Sequence, residues 1–134
     1  AEDAQAMREG HARTLRLLNG DAARLAEMLR PESVHLIVCD LPYGVQHAPH
    51  AGGRVSTLVR LVEGALPGCE RVLKPGGAIA LAFNQNTLDR AAVVRAMSAA
   101  GLEALEQPPY GDFSHWVEQA VQRDAVIARK KEKV

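Results

Sequence analysis

An α/β fold is what this sequence predicts, built on a mostly parallel sheet with an antiparallel strand at its C-terminal end. Three observations carry that expectation. Residues 34–39 (VHLIVC) and 78–83 (AIALAF) are short, nearly unbroken apolar runs, of the kind that form strands buried on both faces of a parallel sheet. Helix-periodic segments stand before, between and after them. The chain then closes on an alternating stretch at 102–107 and an apolar run at 124–129, which fit a strand pair at an antiparallel edge.

Residues 1–12 (AEDAQAMREGHA) are rich in helix formers and put Ala4 and Met7 on one face, so a helix opens the chain. Residues 14–18 (TLRLL) read as a short strand ending in Asn19-Gly20-Asp21, a sharp turn whose aspartate can cap the next helix. That helix, 22–29, repeats apolar residues at helical spacing and stops before Pro31. The central strand follows and breaks at Asp40-Leu41-Pro42-Tyr43-Gly44. Residues 45–57 are polar and glycine-containing and read as a loop above that strand end. They carry His47 and His50, but neither cysteine nor carboxylate joins the pair, so no metal site is expected.

A helix begins at Leu58, is interrupted by Pro67-Gly68 and adds a last turn over 70–73. Leu73-Lys74-Pro75-Gly76-Gly77 is a tight turn into the second apolar strand, which ends in Asn84-Gln85-Asn86-Thr87. Asn86 or Thr87 is placed to cap a helix over 88–100, and Gly101 closes it. Residues 108–112 form a loop, 115–120 a short helix or extended chain, and 130–134 a charged, solvated tail. Trp116, the single tryptophan, reads as core or rim packing.

Composition bounds the function. The 134 residues suffice for one domain with a hydrophobic core, and residues 1–134 are read as a single domain. Sixteen basic and sixteen acidic residues cancel, so no global field draws in nucleic acid or membrane, and any nucleic-acid contact is local. Cys39 and Cys69 lack metal-ligand spacing, and without a disulfide framework a reducing, cytoplasmic setting is the simpler reading. No apolar run approaches bilayer-spanning length, and no signal-peptide pattern opens the chain.

The chemistry concentrates in the turn after the central strand. In open α/β sheets, ligands bind beyond the carboxyl ends of strands, where Asp40 and Tyr43 stand. Asp40 offers two acceptor oxygens to an amine, Pro42 stiffens the turn, and Tyr43 offers a flat face for a base. Together they suit a planar, amine-bearing ring. The competing reading is that Asp40 caps the following segment and Tyr43 packs at a rim.

These residues and their order resemble the later two-thirds of the S-adenosylmethionine-dependent methyltransferase fold, a Rossmann-like sheet. Asp40-Leu41-Pro42-Tyr43 resembles the (Asp/Asn)-Pro-Pro-(Tyr/Phe) signature of amino-methyltransferases, with Leu41 at the first proline. Asn19-Gly20-Asp21 resembles the acidic station that accepts a hydrogen bond from the cofactor's adenine, and Leu73 to Gly77 the turn before the fifth strand. The family's first two strands and its glycine-rich loop have no counterpart, so the chain reads as the C-terminal part of a longer catalytic domain.

The resemblance implies S-adenosylmethionine as cofactor, held by Asn19, Gly20, Asp21, Ala22 and Asp40. It implies Asp40, Leu41, Pro42 and Tyr43 as catalytic residues. Asp40 and the Leu41 carbonyl accept the hydrogens of an exocyclic amine, while Tyr43 stacks on its base. Asp-Leu-Pro-Tyr-Gly is most similar to enzymes acting on the guanine 2-amino group of tRNA. A DNA adenine-N6 or cytosine-N4 methyltransferase and a catalytically silent methyltransferase-like module are the alternatives.

Overall fold

A computed structural model describes residues 4–10, 14–42 and 54–133. Helix α1 (Ala4–Arg8) comes first, and a 3-10 turn (Ala22–Arg24) leads into the short α2 (Leu25–Met28). Then follow β1 (Val34–Asp40), α3 (Arg54–Val72), β2 (Leu73–Asn84) and α4 (Arg90–Ala99). Three strands close the chain: β3 (Leu102–Ala104), β4 (His115–Glu118) and β5 (Val121–Lys130).

The strands make one five-stranded sheet in the order β1-β2-β5-β3, with β4 also paired to β5. β1 and β2 are parallel, and β5 is antiparallel to β2, β3 and β4. Four strands thus share one direction and β5 alone opposes them, which bears out the mostly parallel α/β fold with its antiparallel C-terminal strand. The closing strand does not sit at an edge, however: β5 is inserted between β2 and β3.

One face of the sheet carries the core. Ile79, Leu81 and Phe83 of β2 lie beside Val126 and Ala128 of β5, all buried. α3 covers them with Leu58, Val62, Leu66, Cys69 and Val72, spaced four, four, three and three along the helix, and α4 with Val93, Ala96 and Met97. Each large apolar side chain among them, fully buried, stabilises the fold by roughly 1.5–3 kcal/mol. Among the described residues no helix covers the other face. Leu36 and Val38 of β1 are 60% and 74% exposed, so this strand is not buried on both faces as its apolar run suggested. A continuous apolar run cannot say whether a second layer covers the strand.

Other local expectations shift for identifiable reasons. Residues 14–18 form no strand: Leu15 and Leu17 are 93% and 97% exposed, and among the described residues no strand pairs with them. Helix α3 runs through Pro67 without a break, since its buried stripe outweighs the one hydrogen bond that proline cannot donate. It also begins at Arg54, so the last residues of the 45–57 segment are helical rather than loop. Residues 45–53, with His47 and His50, lie outside the described residues.

The Lys74-Pro75-Gly76-Gly77 stretch belongs to β2, where the register with β1 shifts between Val34 and Leu36. Gly77 is required there: a Cβ would stand 2.8 Å from the Lys74 carbonyl oxygen and 3.1 Å from that of His35. Helix α4 starts two residues later than expected, with Asp89 rather than Asn86 or Thr87 at its N-cap. Gly101, at φ 88°, closes it. Residues 115–118 are strand, and Trp116 is 64% exposed instead of packed. The terminal charges are paired rather than merely solvated, with Lys133 on Glu32 at 3.0 Å and Lys130 on Glu70 at 3.1 Å.

Candidate functional site

The carboxyl ends of β1 and β2 and the start of β5 meet at one rim of the sheet. Asp40 is the last residue of β1 and pairs with Ala82 in the parallel ladder. Leu41 continues the ladder by one bond, its amide donating to the Ala82 carbonyl at 2.9 Å, and its side chain is buried in the core. The buried leucine anchors the turn, so the chain leaves the strand with Asp40 exposed above it. Pro42 is exposed, and Tyr43 lies outside the described residues.

Asp40 meets a residue that the sequence did not single out. Arg123 Nη2 donates to Asp40 Oδ2 at 3.2 Å, reaching from β5 across β2. Beside this pair the open face holds a cavity of about 300 Å³ lined by Ala82, Phe113, His115, Arg123, Asp124, Ala125 and Ile127. Ala82, Ala125 and Ile127 give it an apolar floor, and Phe113 and His115 bring aromatic rings to its wall. Its size and lining suit a planar ring.

A buried polar frame supports the cavity, and its Asp124 also lines it. Asn84 Oδ1 accepts from the amides of Asn86 and Gln122, and its Nδ2 donates to the Ala120 carbonyl at 2.9 Å. The Asp124 side chain, fully buried, accepts from Arg90 Nη1 at 2.9 Å, Gln85 Nε2 at 2.8 Å and the Phe113 amide at 3.1 Å. Arg90 also donates to the Tyr110 carbonyl, so the loop that carries Phe113 is tied to α4. In the sequence these residues showed only as a polar run after an apolar strand and an acid opening the last strand.

The second group of candidate residues stands at the 3-10 turn. Asn19, Gly20, Asp21 and Ala22 are all exposed. Asp21 caps the turn as expected, its Oδ1 accepting from the Ala23 amide at 2.9 Å. A carboxylate has a second oxygen, which retains acceptor capacity for an adenine amino group. Gly20 packs so closely on Met28 that a Cβ would come within 2.6 Å of its sulfur.

Both cysteines are free; Cys39 is half-buried and Cys69 buried. Burial raises the thiol pKa of each, and the adjacent Asp40 charge raises that of Cys39 further, which keeps both as neutral thiols rather than nucleophiles. Among the described residues no group of three or more His, Cys, Asp or Glu side chains could hold a metal ion. No described helix is long and apolar enough to cross a membrane.

No protein-family model matches the sequence, and no curated protein does. Solved structures do match in shape. TTHA0409 of Thermus thermophilus, assigned as a DNA modification methylase, superposes with a TM-score of 0.61 at 17% identity, over 86% of this chain and 53% of that one. A SAM-dependent methyltransferase of Methanosarcina mazei gives 0.59 at 14% identity, over 98% and 80% of the two chains. The fold is that of the methyltransferases. TrmN of Thermus thermophilus shares it with a TM-score of 0.54 at 22% identity, over 93% of this chain and 31% of its own. TTHA0409 has also been solved in complex with S-adenosyl-L-methionine. This chain spans about half the length of TTHA0409, the 53% already given.

Proposed function

We propose that this methyltransferase-fold chain carries the acceptor half of an S-adenosylmethionine-dependent N-methyltransferase acting on an exocyclic amino nitrogen of a nucleobase. The observation that carries the reading is the placement of Asp40 at the carboxyl end of β1, beside a cavity of about 300 Å³ walled by Phe113 and His115. The cofactor, when bound, supplies a sulfonium methyl group as electrophile. Everything else falls to the chain's own residues.

The amine lone pair is delocalised into the ring, so the nitrogen attacks only when its orientation is imposed. Asp40 and the Leu41 carbonyl accept its hydrogens, and the cavity receives the ring once it is unstacked. The C–N bond forms as the S–C bond breaks, and the nitrogen afterwards releases a proton to solvent. Asp21, exposed and with one carboxylate oxygen outside its cap, suits the adenine amino group, with Asn19, Gly20 and Ala22 around it. Pro42 and Tyr43 complete the turn, Tyr43 as the stacking face.

The finer substrate is the guanine 2-amino group of tRNA, on the strength of the Asp-Leu-Pro-Tyr-Gly turn. Adenine-N6 or cytosine-N4 of DNA presents the same amine geometry, and the likeness to TTHA0409 speaks for that second reading. Two free cysteines fit a cytoplasmic setting for either. The deciding experiment is transfer of labelled methyl from S-adenosylmethionine to unmodified tRNA and to duplex DNA, with product nucleosides identified. Asp40→Ala lowers the rate by at least about 100-fold while the fold persists. A folded Asp40→Ala chain with unchanged rate would sink the reading and leave a silent binding module.

A further inference from the structure

We propose that Arg123 is a positioning residue that holds the Asp40 carboxylate in the orientation an incoming amine requires, an assignment that rests on the methyl-transfer reading above. Asp40 ends β1 and Arg123 lies near the start of β5, with β2 between them. Two strand spacings separate the backbones, roughly 10 Å. Between them β2 presents Asn84 across from Arg123 and the small Ala82 across from Asp40, and Ala82 and Arg123 line the same cavity.

The base from which Arg123 reaches is rigid. On one side of it, the Gln122 amide donates to Asn84 Oδ1 at 3.1 Å and the Gln122 carbonyl accepts from the Gln85 amide at 2.7 Å. On the other side, Asp124 is fully buried and bound by Arg90, Gln85 and the Phe113 amide. Both chain neighbours of Arg123 are therefore anchored at the carboxyl end of β2, and its guanidinium starts from a fixed point.

Asp40 has a different setting. Its side chain is 56% exposed, so its orientation depends on the contacts it makes rather than on packing. The charge-assisted bond from Arg123 to Oδ2 is one of the contacts that set that orientation. A pair this exposed adds little to stability, which makes orientation its physical consequence.

The test is a mutant cycle of wild type, Arg123→Met, Asp40→Asn and the double variant. Methyl transfer from S-adenosylmethionine to unmodified tRNA and to duplex DNA is resolved into kcat and KM. Arg123→Met is expected to lower kcat roughly 10- to 100-fold, with KM for S-adenosylmethionine and the melting temperature nearly unmoved. Arg123→Lys recovers part of that loss. In the Asp40→Asn background, Arg123→Met costs nothing further, because the residue acts through Asp40.

Wild-type kcat in Arg123→Met, or losses that simply multiply in the double variant, would overturn the assignment. Wild-type protein that methylates neither nucleic acid overturns the functional reading and this role together. The side-chain ¹⁵Nε resonance of Arg123, compared between wild type and Asp40→Asn, reports separately on the pair. A resonance that Asp40→Asn leaves unmoved removes the contact on which the role depends.

Discussion

Arg90 Nη1 lies 2.9 Å from Oδ2 of Asp124, joining the first residue of α4 to the start of β5 through a carboxylate with no exposed side-chain surface. Three further donors converge on Asp124: Gln85 Nε2, the Phe113 amide and its own neighbour's amide at Ala125. Removing the carboxylate leaves a mostly buried guanidinium and several amides without their acceptor. Asp124→Ala should therefore lower unfolding stability by about 3–5 kcal/mol, read from urea titration. The 108–113 loop, tied to the same pair through Tyr110, should lose amide protection in that variant.

The two faces of the sheet differ in how much a substitution should cost. Phe83 is fully buried against the helices, and Phe83→Ala should cost about 3–5 kcal/mol through the cavity left behind. Val38 points to the open face, and Val38→Thr should stay within about 0.5 kcal/mol of wild type. A loss for Val38→Thr well above about 0.5 kcal/mol in chemical denaturation would mean that a layer covers the open face in solution.

Pro67 sits inside α3 on its exposed side. Its ring denies the helix one hydrogen bond while Leu66 and Gly68 on either side are buried. Pro67→Ala should restore that bond and raise the urea midpoint, by up to about 3 kcal/mol of stability. A Cβ at Gly68 would already stand 3.6 Å from the Ala26 nitrogen and 3.7 Å from Leu25 Cβ in α2, so the longer side chain of Gly68→Leu should lower the midpoint by forcing α2 away.

The cysteines predict an alkaline weakness. Both thiols have raised pKa values in the folded chain, chiefly from burial, against an ordinary value of 9.0. The unfolded chain thus gives up its thiol protons first as pH rises. The cysteine contribution to stability is fully present below pH 9.0 and is lost as pH climbs from there through the raised folded values. Urea midpoints measured between neutral and strongly alkaline pH should fall more steeply for wild type than for Cys39→Ala/Cys69→Ala. Parallel curves would show that the thiols titrate alike in both states.

Much of the fold was legible because its signals are local. The apolar runs of β1 and β2 stop where strands stop, Gly101 ends α4 with a positive φ, and Asp21 caps the turn that follows it. Those outcomes depend on a few consecutive residues and on side-chain period. The failures share the opposite cause. Whether residues 14–18 join a ladder depends on a partner strand, whether Leu36 and Val38 are buried depends on a second layer, and whether Pro67 breaks α3 depends on the core beneath it.

The sequence by itself determined the order of helices and strands from β1 to β3 and the abrupt end of β1 at Asp40, because periodicity and turn chemistry are written in neighbouring residues. Only the tertiary structure decided that β5 enters between β2 and β3, and so that Arg123 meets Asp40 across 83 residues of chain and Arg90 meets Asp124 across 34. Strand order is a property of which edges find each other in three dimensions, and separation along the chain carries no record of it.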